Sequence, residues 1–217
     1  MCYRVNTNFS IKQAEKYYDA KETDLDYQPE DEINGFSHPK TAVILDIAPT
    51  EILTAQWGLM PIWAKEDFLK KTNTLNAKIE TAETLNSYKN STKNRCLIPV
   101  KSFYEWQWQD AKGKNKRKFE IAIKDSTLFS LAGIYSLWEN PETGKELYTY
   151  SIVTTKANEL MSKIHNIKKR MPICLAQNNH KKWLEGNPLE DFSFPNLNPN
   201  LAAVEKSENL FAELFPL

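Results

Sequence analysis

The 217-residue sequence predicts a single α+β domain with an irregular, mainly antiparallel β core and short peripheral helices. Short β-branched and aromatic runs recur along the chain, and turn-forming residues separate them. The helical patterns are few and dispersed, without the regular strand-helix alternation of a doubly wound sheet.

Ser10 and Gln13 form a capping-box pair ahead of a helix that puts Ile11, Ala14, Tyr17 and Tyr18 on one side. Residues 19–34 carry many acids around Pro29 and read as an exposed loop. Ala42 to Ile47 and Ile52 to Leu59 read as two strands separated by Pro49, and Thr81 to Tyr88 as a short helix. Cys96 to Trp108 reads as strand, turn, strand, and Gly113 opens a basic turn. Lys118 to Lys124, Leu128 to Trp138 and Tyr148 to Thr155 follow as strands, the last two joined by a polar turn over residues 141–144. Asn158 caps a helix running toward His165, and Asn179 to Glu185 is a helix stopped by Gly186. Pro188 to Pro199 reads as a surface wrap, closed by an apolar Leu210 to Leu217 that packs back onto the body.

No run approaches the ~18 apolar residues of a membrane span, and the N-terminus lacks a signal-peptide pattern, so the expectation is a cytoplasmic protein without membrane attachment. Three cysteines and three histidines show no metal-ligand spacing, which predicts no metal and no disulfide framework. Lys plus Arg and Asp plus Glu both number 28, yet the charges are segregated. Residues 65–118 hold 13 basic and 6 acidic side chains, and residues 156–182 hold 7 and 1, while acids gather at 19–32 and after 185. Solvated surfaces on separate elements are one reading of that pattern, and a shared basic groove is the other.

Cys2 is the candidate nucleophile, set against the plain reading that a second-position cysteine has no special role. Removal of Met1 leaves a 1,2-aminothiol, whose amine and thiol have reference pKa values of about 7.7–8.0 and 8.5, so a useful fraction of each is nucleophilic near neutral pH. With an aldehyde the amine forms an imine, and the thiolate then closes a thiazolidine in an intramolecular step. With an amide or ester carbonyl, the same residue would be the nucleophile of an N-terminal hydrolase. Glu105 lies among aromatics in Phe103-Tyr104-Glu105-Trp106, where desolvation would raise its pKa and suit it to proton transfer; a strand-edge glutamate facing water is the alternative. His165 is either a helix C-terminal residue favoured by the dipole or a catalyst. Asn76 and Lys78 share a face if their segment is a strand, where Asn76 could hold the N-terminus and Lys78 a phosphate.

Met1-Cys2-Tyr3-Arg4, Trp57-Gly58-Leu59-Met60-Pro61, Asn76-Ala77-Lys78-Ile79-Glu80-Thr81, Arg95-Cys96-Leu97-Ile98-Pro99, Phe103-Tyr104-Glu105-Trp106, Leu131-Ala132-Gly133-Ile134 and Thr154 through Pro172 occur in this order. Together, from residue 2 to about residue 175, they resemble the SRAP (SOS response-associated peptidase) family, whose fold is a single α+β domain with an irregular β core. The resemblance implies a monomeric sensor of abasic sites in single-stranded DNA that forms a thiazolidine DNA–protein crosslink through Cys2 and needs no cofactor. It implies that Asn76 positions Cys2, that Glu105 moves protons and that His165 assists beside the sugar. It further implies that Arg4, Lys78 and Arg170 meet phosphates, Thr154 lies near the sugar-phosphate, Trp106 walls the pocket and Trp63 stacks on a base. A cysteine peptidase or self-processing hydrolase using Cys2, and a noncovalent single-strand binder, are the competing readings.

Two departures bear on the site. Tyr3 stands where the family usually has glycine, putting bulk beside the nucleophile. Ile167, Lys168 and Lys169 are additions between Asn166 and Arg170, so that arginine reaches the site only if they bulge outward.

Overall fold

The computed structural model describes residues 2–24, 26 and 28–206. Fourteen strands and four α-helices occur among them, the helices all short. Five strands close a ring: β4 (Lys40–Leu45), β5 (Ala48–Trp57), β7 (Arg95–Val100), β10 (Phe129–Glu139) and β11 (Glu146–Lys156). Neighbours in the order β5-β4-β7-β10-β11 are antiparallel, and a short parallel pairing of Gln56 and Trp57 with Thr149 and Tyr150 joins β5 to β11 and completes the barrel. Strand alternation divides the side chains. Val43, Leu45, Trp57, Cys96, Ile98 and Tyr150 fall in the inner cluster, while Ala42, Ile44, Ile52, Leu97 and Ile134 pack in the outer one. Leu131-Ala132-Gly133-Ile134 needs its glycine because an added Cβ would lie 2.5 Å from the Sγ of Cys96, its register partner on neighbouring β7.

Shorter segments extend the ring. β2 (Lys21–Asp24) runs parallel to β5, and β6 (Asn76–Lys78) runs parallel to β11 at Ile152 to Thr154. β12 (Arg170–Pro172) pairs with β11, and β13 (Cys174–Leu175) pairs with β10, so this segment bridges the two strands where they part.

A second, wholly antiparallel sheet has the order β14-β9-β8-β1-β3. Its strands are β1 (Arg4–Asn6), β3 (Ile33–Asn34), β8 (Ser102–Trp108), β9 (Lys116–Ile123) and β14 (Leu201–Lys206). Val5, Phe103 and Ile121 on one face join the barrel's inner cluster. Arg4, Tyr104, Trp106 and Lys118 occupy the opposite face by register, since Arg4 pairs with Tyr104 and Trp106 with Lys118. The remaining helices are α1 (Ile11–Tyr18), α2 (Phe68–Lys71), α3 (Glu159–Ile164) and α4 (Gln177–Leu184). The capping box at Ser10 and Gln13 is formed, Asn158 Oδ1 accepts from the Met161 amide, and Gly186 has the positive φ of 76° that ends α4.

Four expectations need correction. Thr81 to Tyr88 is a chain of overlapping turns rather than a helix: only Ala82 and Tyr88 are buried, and the Thr84 hydroxyl competes for the Thr81 carbonyl. Residues 19–34 are not all loop, because the backbone at 21–24 and 33–34 pairs with strands whatever its acidic side chains do. The break after Leu45 comes at Asp46 and Ile47, where Asp46 Oδ1 takes the Ile47 amide, and Pro49 lies just inside β5. The wrap over 188–199 continues into β14, which extends the sheet beyond β9. Leu210 to Leu217 lies outside the described residues.

Candidate active site around Cys2

Cys2 lies one residue ahead of β1, separated from it by Tyr3, and is fully buried in the inner cluster. The β1–β8 register pairs Arg4 with Tyr104, so one step further along residue 3 faces Glu105. Asn76, on β6, donates from Nδ2 to the Cys2 carbonyl at 2.8 Å, and Tyr88 Oη donates to the Asn76 carbonyl at 3.1 Å. The Asn76 Oδ1 is buried and has no hydrogen-bond partner among the described residues. Asn76 thus grips the main chain of residue 2 and keeps an acceptor in reserve. Burial raises the Cys2 thiol pKa far above its ordinary value, and the charge of Glu105 adds to the rise. The charge of Glu105 therefore reaches the sulfur.

Glu105 is on the inward face of β8 and buried, and desolvation pushes its carboxyl up to about 7. Near neutral pH it is divided between acid and base forms, which suits a group that must both give and take a proton. His165 caps the C-terminus of α3. Its Nδ1 lies 2.8 Å from the Arg170 carbonyl and 3.2 Å from the Arg170 amide, so the backbone of that residue fixes the ring's orientation. Burial, then the positive charge of the amino terminus, with smaller effects from Lys168 and Arg170 against an opposing hydrogen bond, brings His165 down to about 4 and keeps the ring neutral at pH 7.

Arg170 is committed. Its guanidinium makes a two-point bridge to Glu80, Nη1 to Oε1 at 2.8 Å and Nη2 to Oε2 at 2.9 Å, and Nη2 also donates to the Thr154 carbonyl at 2.7 Å. Despite burial, those bonds hold the Glu80 carboxyl below its ordinary range. Thr154 is fully buried, its hydroxyl donating to the Ala77 carbonyl and accepting from Arg170. It therefore anchors an arginine. Ile167, Lys168 and Lys169 project into solvent as Arg170 returns to pair with Lys156, so the addition leaves the arginine beside β11.

Arg4 and Trp106 lie on the outward face. Arg4 pairs with Glu32 at 2.9 Å and stands 5.7 Å from the centre of the Trp106 ring; Lys118 pairs with the second oxygen of Glu32 and lies over both Tyr104 and Trp106. Lys78 is exposed and makes no ion pair among the described residues. Trp63 is 54% exposed with its ring edge-on to Phe68. The structure thus gathers Cys2, Asn76 and Glu105, sets His165 and Arg170 together nearby, and leaves Arg4 and Trp106 on another face. Glu80, Tyr88, Glu32 and Lys118 escaped the sequence reading; the alternation Asn76, Lys78, Glu80 along one strand side was the available signal for Glu80.

The profile of the family described as SOS response associated peptidase (SRAP) matches residues 1–207. The chain belongs to the SRAP family. Over 143 residues, 65% of this SRAP chain and 61% of the relative, it is 41% identical to the abasic site processing protein YoqW of Bacillus subtilis (strain 168). It is 35% identical over 161 residues to the abasic site processing protein HMCES of Gallus gallus, a match covering 64% of this chain and 47% of that one. The chain thus spans about three fifths of the bacterial relative and about half of the vertebrate one. A solved protein from Bacteroides thetaiotaomicron superposes with a TM-score of 0.82 at 29% identity, covering 94% of this chain and 91% of the other. A Bordetella bronchiseptica structure, at 23% identity with a TM-score of 0.79 and coverage of 95% and 100%, shares the fold. Among the described residues of the SRAP chain, no three His, Cys, Asp or Glu side chains gather as metal ligands.

Proposed function

We propose that this protein processes abasic sites in single-stranded DNA by forming a covalent adduct through Cys2 after Met1 is removed. The observation that carries the reading is the pairing of an N-terminal-type cysteine with a buried carboxyl at about pH 7, beside an asparagine that holds the cysteine's main chain. The curated relatives named for abasic site processing supply the substrate class.

An abasic deoxyribose interconverts between a ring and an open aldehyde. Opening breaks the C1′–O4′ bond, with a proton reaching O4′ and one leaving the C1′ hydroxyl; Glu105, balanced between its two forms, serves that exchange. The Cys2 amine then adds to C1′, and water departs as the imine forms. The sulfur adds to the imine carbon while the nitrogen takes up the thiol proton, closing a five-membered ring with a net loss of one water. Processing of Met1 is a chemical requirement, because the nitrogen of an internal cysteine is an amide without a basic lone pair. His165, neutral at pH 7, acts as a proton acceptor beside the sugar. Asn76 fixes residue 2 so that the attack begins from a held geometry.

The test is incubation with a single-stranded oligonucleotide bearing one abasic site, after mass spectrometry has established a free Cys2 amine. A denaturation-resistant adduct of protein plus DNA minus one water is expected, and Cys2→Ala should abolish it. Processed wild-type protein that yields no adduct overturns the proposal.

A further inference from the structure

Tyr3 departs from the family pattern, and the structure shows what its ring does. It is half-buried beside the nucleophile, close enough to Cys2 and Glu105 for their charges to act on its hydroxyl, and it packs on Phe36 with ring centroids 4.7 Å apart and planes tilted by 33°. Phe36 is 57% exposed. Single exposed apolar side chains are ordinary on protein surfaces. This one differs in packing on Tyr3, the residue next to the nucleophile, and in the rigidity of its support.

Phe36 sits in a single 3-10 turn, Gly35–Ser37, that is bonded on every side. The Asn34 side chain accepts from the Phe36 amide at 3.2 Å, and the Ser37 hydroxyl donates to the Asn34 carbonyl at 2.8 Å. The Gly35 amide donates to the Tyr3 carbonyl at 2.8 Å, tying the turn to the residue beside the nucleophile. Gly35 lies so close to the Trp57 ring that an added Cβ would be 3.0 Å from it, and His38 Nδ1 bonds the Trp57 carbonyl at 2.9 Å. The turn is thus seated on the barrel, and Phe36 is held outward with little backbone freedom left to lose on binding.

We propose that Tyr3 and Phe36 form a two-ring platform on which the nucleobase next to the abasic nucleotide stacks. The inference rests on the abasic-site reading above and deepens it. An abasic nucleotide offers no base, so stacking must come from its neighbour, and a base is the part of single-stranded DNA that presents a flat face to a flat ring. The wider face of a purine makes adenine or guanine the preferred neighbour.

The experiment compares two single-stranded oligonucleotides, each with one abasic site. In the first the flanking nucleosides are adenosines; in the second both are tetrahydrofuran spacers, which have neither base nor aldehyde. Adduct formation is timed at subsaturating protein for wild type, Phe36→Ala, Phe36→Leu and Phe36→Trp, with thermal melting to show that each is folded. Wild type should react about 5- to 150-fold faster with the adenine-flanked strand, the range that loss of one base stack implies. Phe36→Ala and Phe36→Leu should lose that advantage while matching wild type on the spacer strand, and Phe36→Trp should keep it. Equal slowing on both strands, or no slowing on either, overturns the platform and leaves the abasic-site reading standing. No wild-type adduct on either strand overturns both.

Discussion

Glu105 and Trp106 are consecutive on one strand and live in different solvents. Glu105 faces the inner cluster, where desolvation pushes its carboxyl up to about 7. One residue later Trp106 shares the outer face with Arg4 and Lys118, charged side chains arranged around Glu32 within reach of water. The pleat alone separates the two environments. A group that must change protonation gains from the dry face, where one charge has a large effect; groups that meet a polyanion gain from the wet one, where pairs are weak and exchange readily.

The sharpest way to break this contrast is Glu105→Gln, which keeps shape and removes titration. Adduct formation in the variant should fall by about 10²–10⁴-fold, and the inflection near pH 7 should vanish from its pH–rate profile. Stability should move the other way. The folded protein keeps the Glu105 proton to about pH 7, whereas the unfolded chain releases it near 4.5, so between those values the native state binds more protons and wild-type stability falls as pH rises. Above pH 7 the glutamine variant should therefore be more stable by up to about 3 kcal/mol, a difference that shrinks to nothing near pH 4. His165 and His180, both brought down to about 4 chiefly by burial, bind protons more readily when unfolded. In Glu105→Gln they should leave stability rising between about pH 4 and 6.5. Denaturant titrations of both proteins across pH 4 to 8 measure all of this.

Glu80→Gln probes an intermediate environment. It leaves Arg170 mostly buried without its two-point partner, and a loss of about 1–3 kcal/mol is expected from chemical denaturation. Glu32→Gln should have the smallest effect on folding, under about 1 kcal/mol, because the pair with Arg4 is half in water. Its consequence should appear in binding: with one carboxylate fewer between Arg4 and Lys118, noncovalent affinity for single-stranded DNA should rise, and the plot of log affinity against log salt should steepen by up to about 0.7. Anisotropy titrations across a salt series read both quantities.

Sequence reading succeeded where local chemistry is sufficient. The reciprocal bonds of Ser10 and Gln13 close within one turn of chain, and the apolar runs of β7 and β10 can only be strands buried on both sides. It left β6 open between strand and loop and missed β12 and β13; all three are two or three residues long and owe their pairing to β10 and β11 rather than to their own sequence. β14 was hidden for a related reason: Leu201-Ala202-Ala203-Val204 has little apolar weight, and its pairing comes from the open edge of β9. Within the site, Cys2, Asn76, Glu105 and His165 were visible as residue types suited to one reaction. The engagement of Arg170 by Glu80 spans 90 positions, and no local pattern announces it. Nor could alternation alone say that Arg4 shares the face of Trp106, away from Glu105; that needed the pairing of β1 with β8.

The outward turn at Ile167 to Lys169 has a use of its own. Its base is sewn shut, the Lys169 amide to the His165 carbonyl at 2.9 Å and the Ala157 amide to the Lys169 carbonyl at 3.0 Å, while its tip touches only solvent. Those bonds lie at the base, so a fluorophore or affinity handle can be grafted at the exposed Ile167 without cutting them, provided Lys168, whose charge reaches His165, is kept.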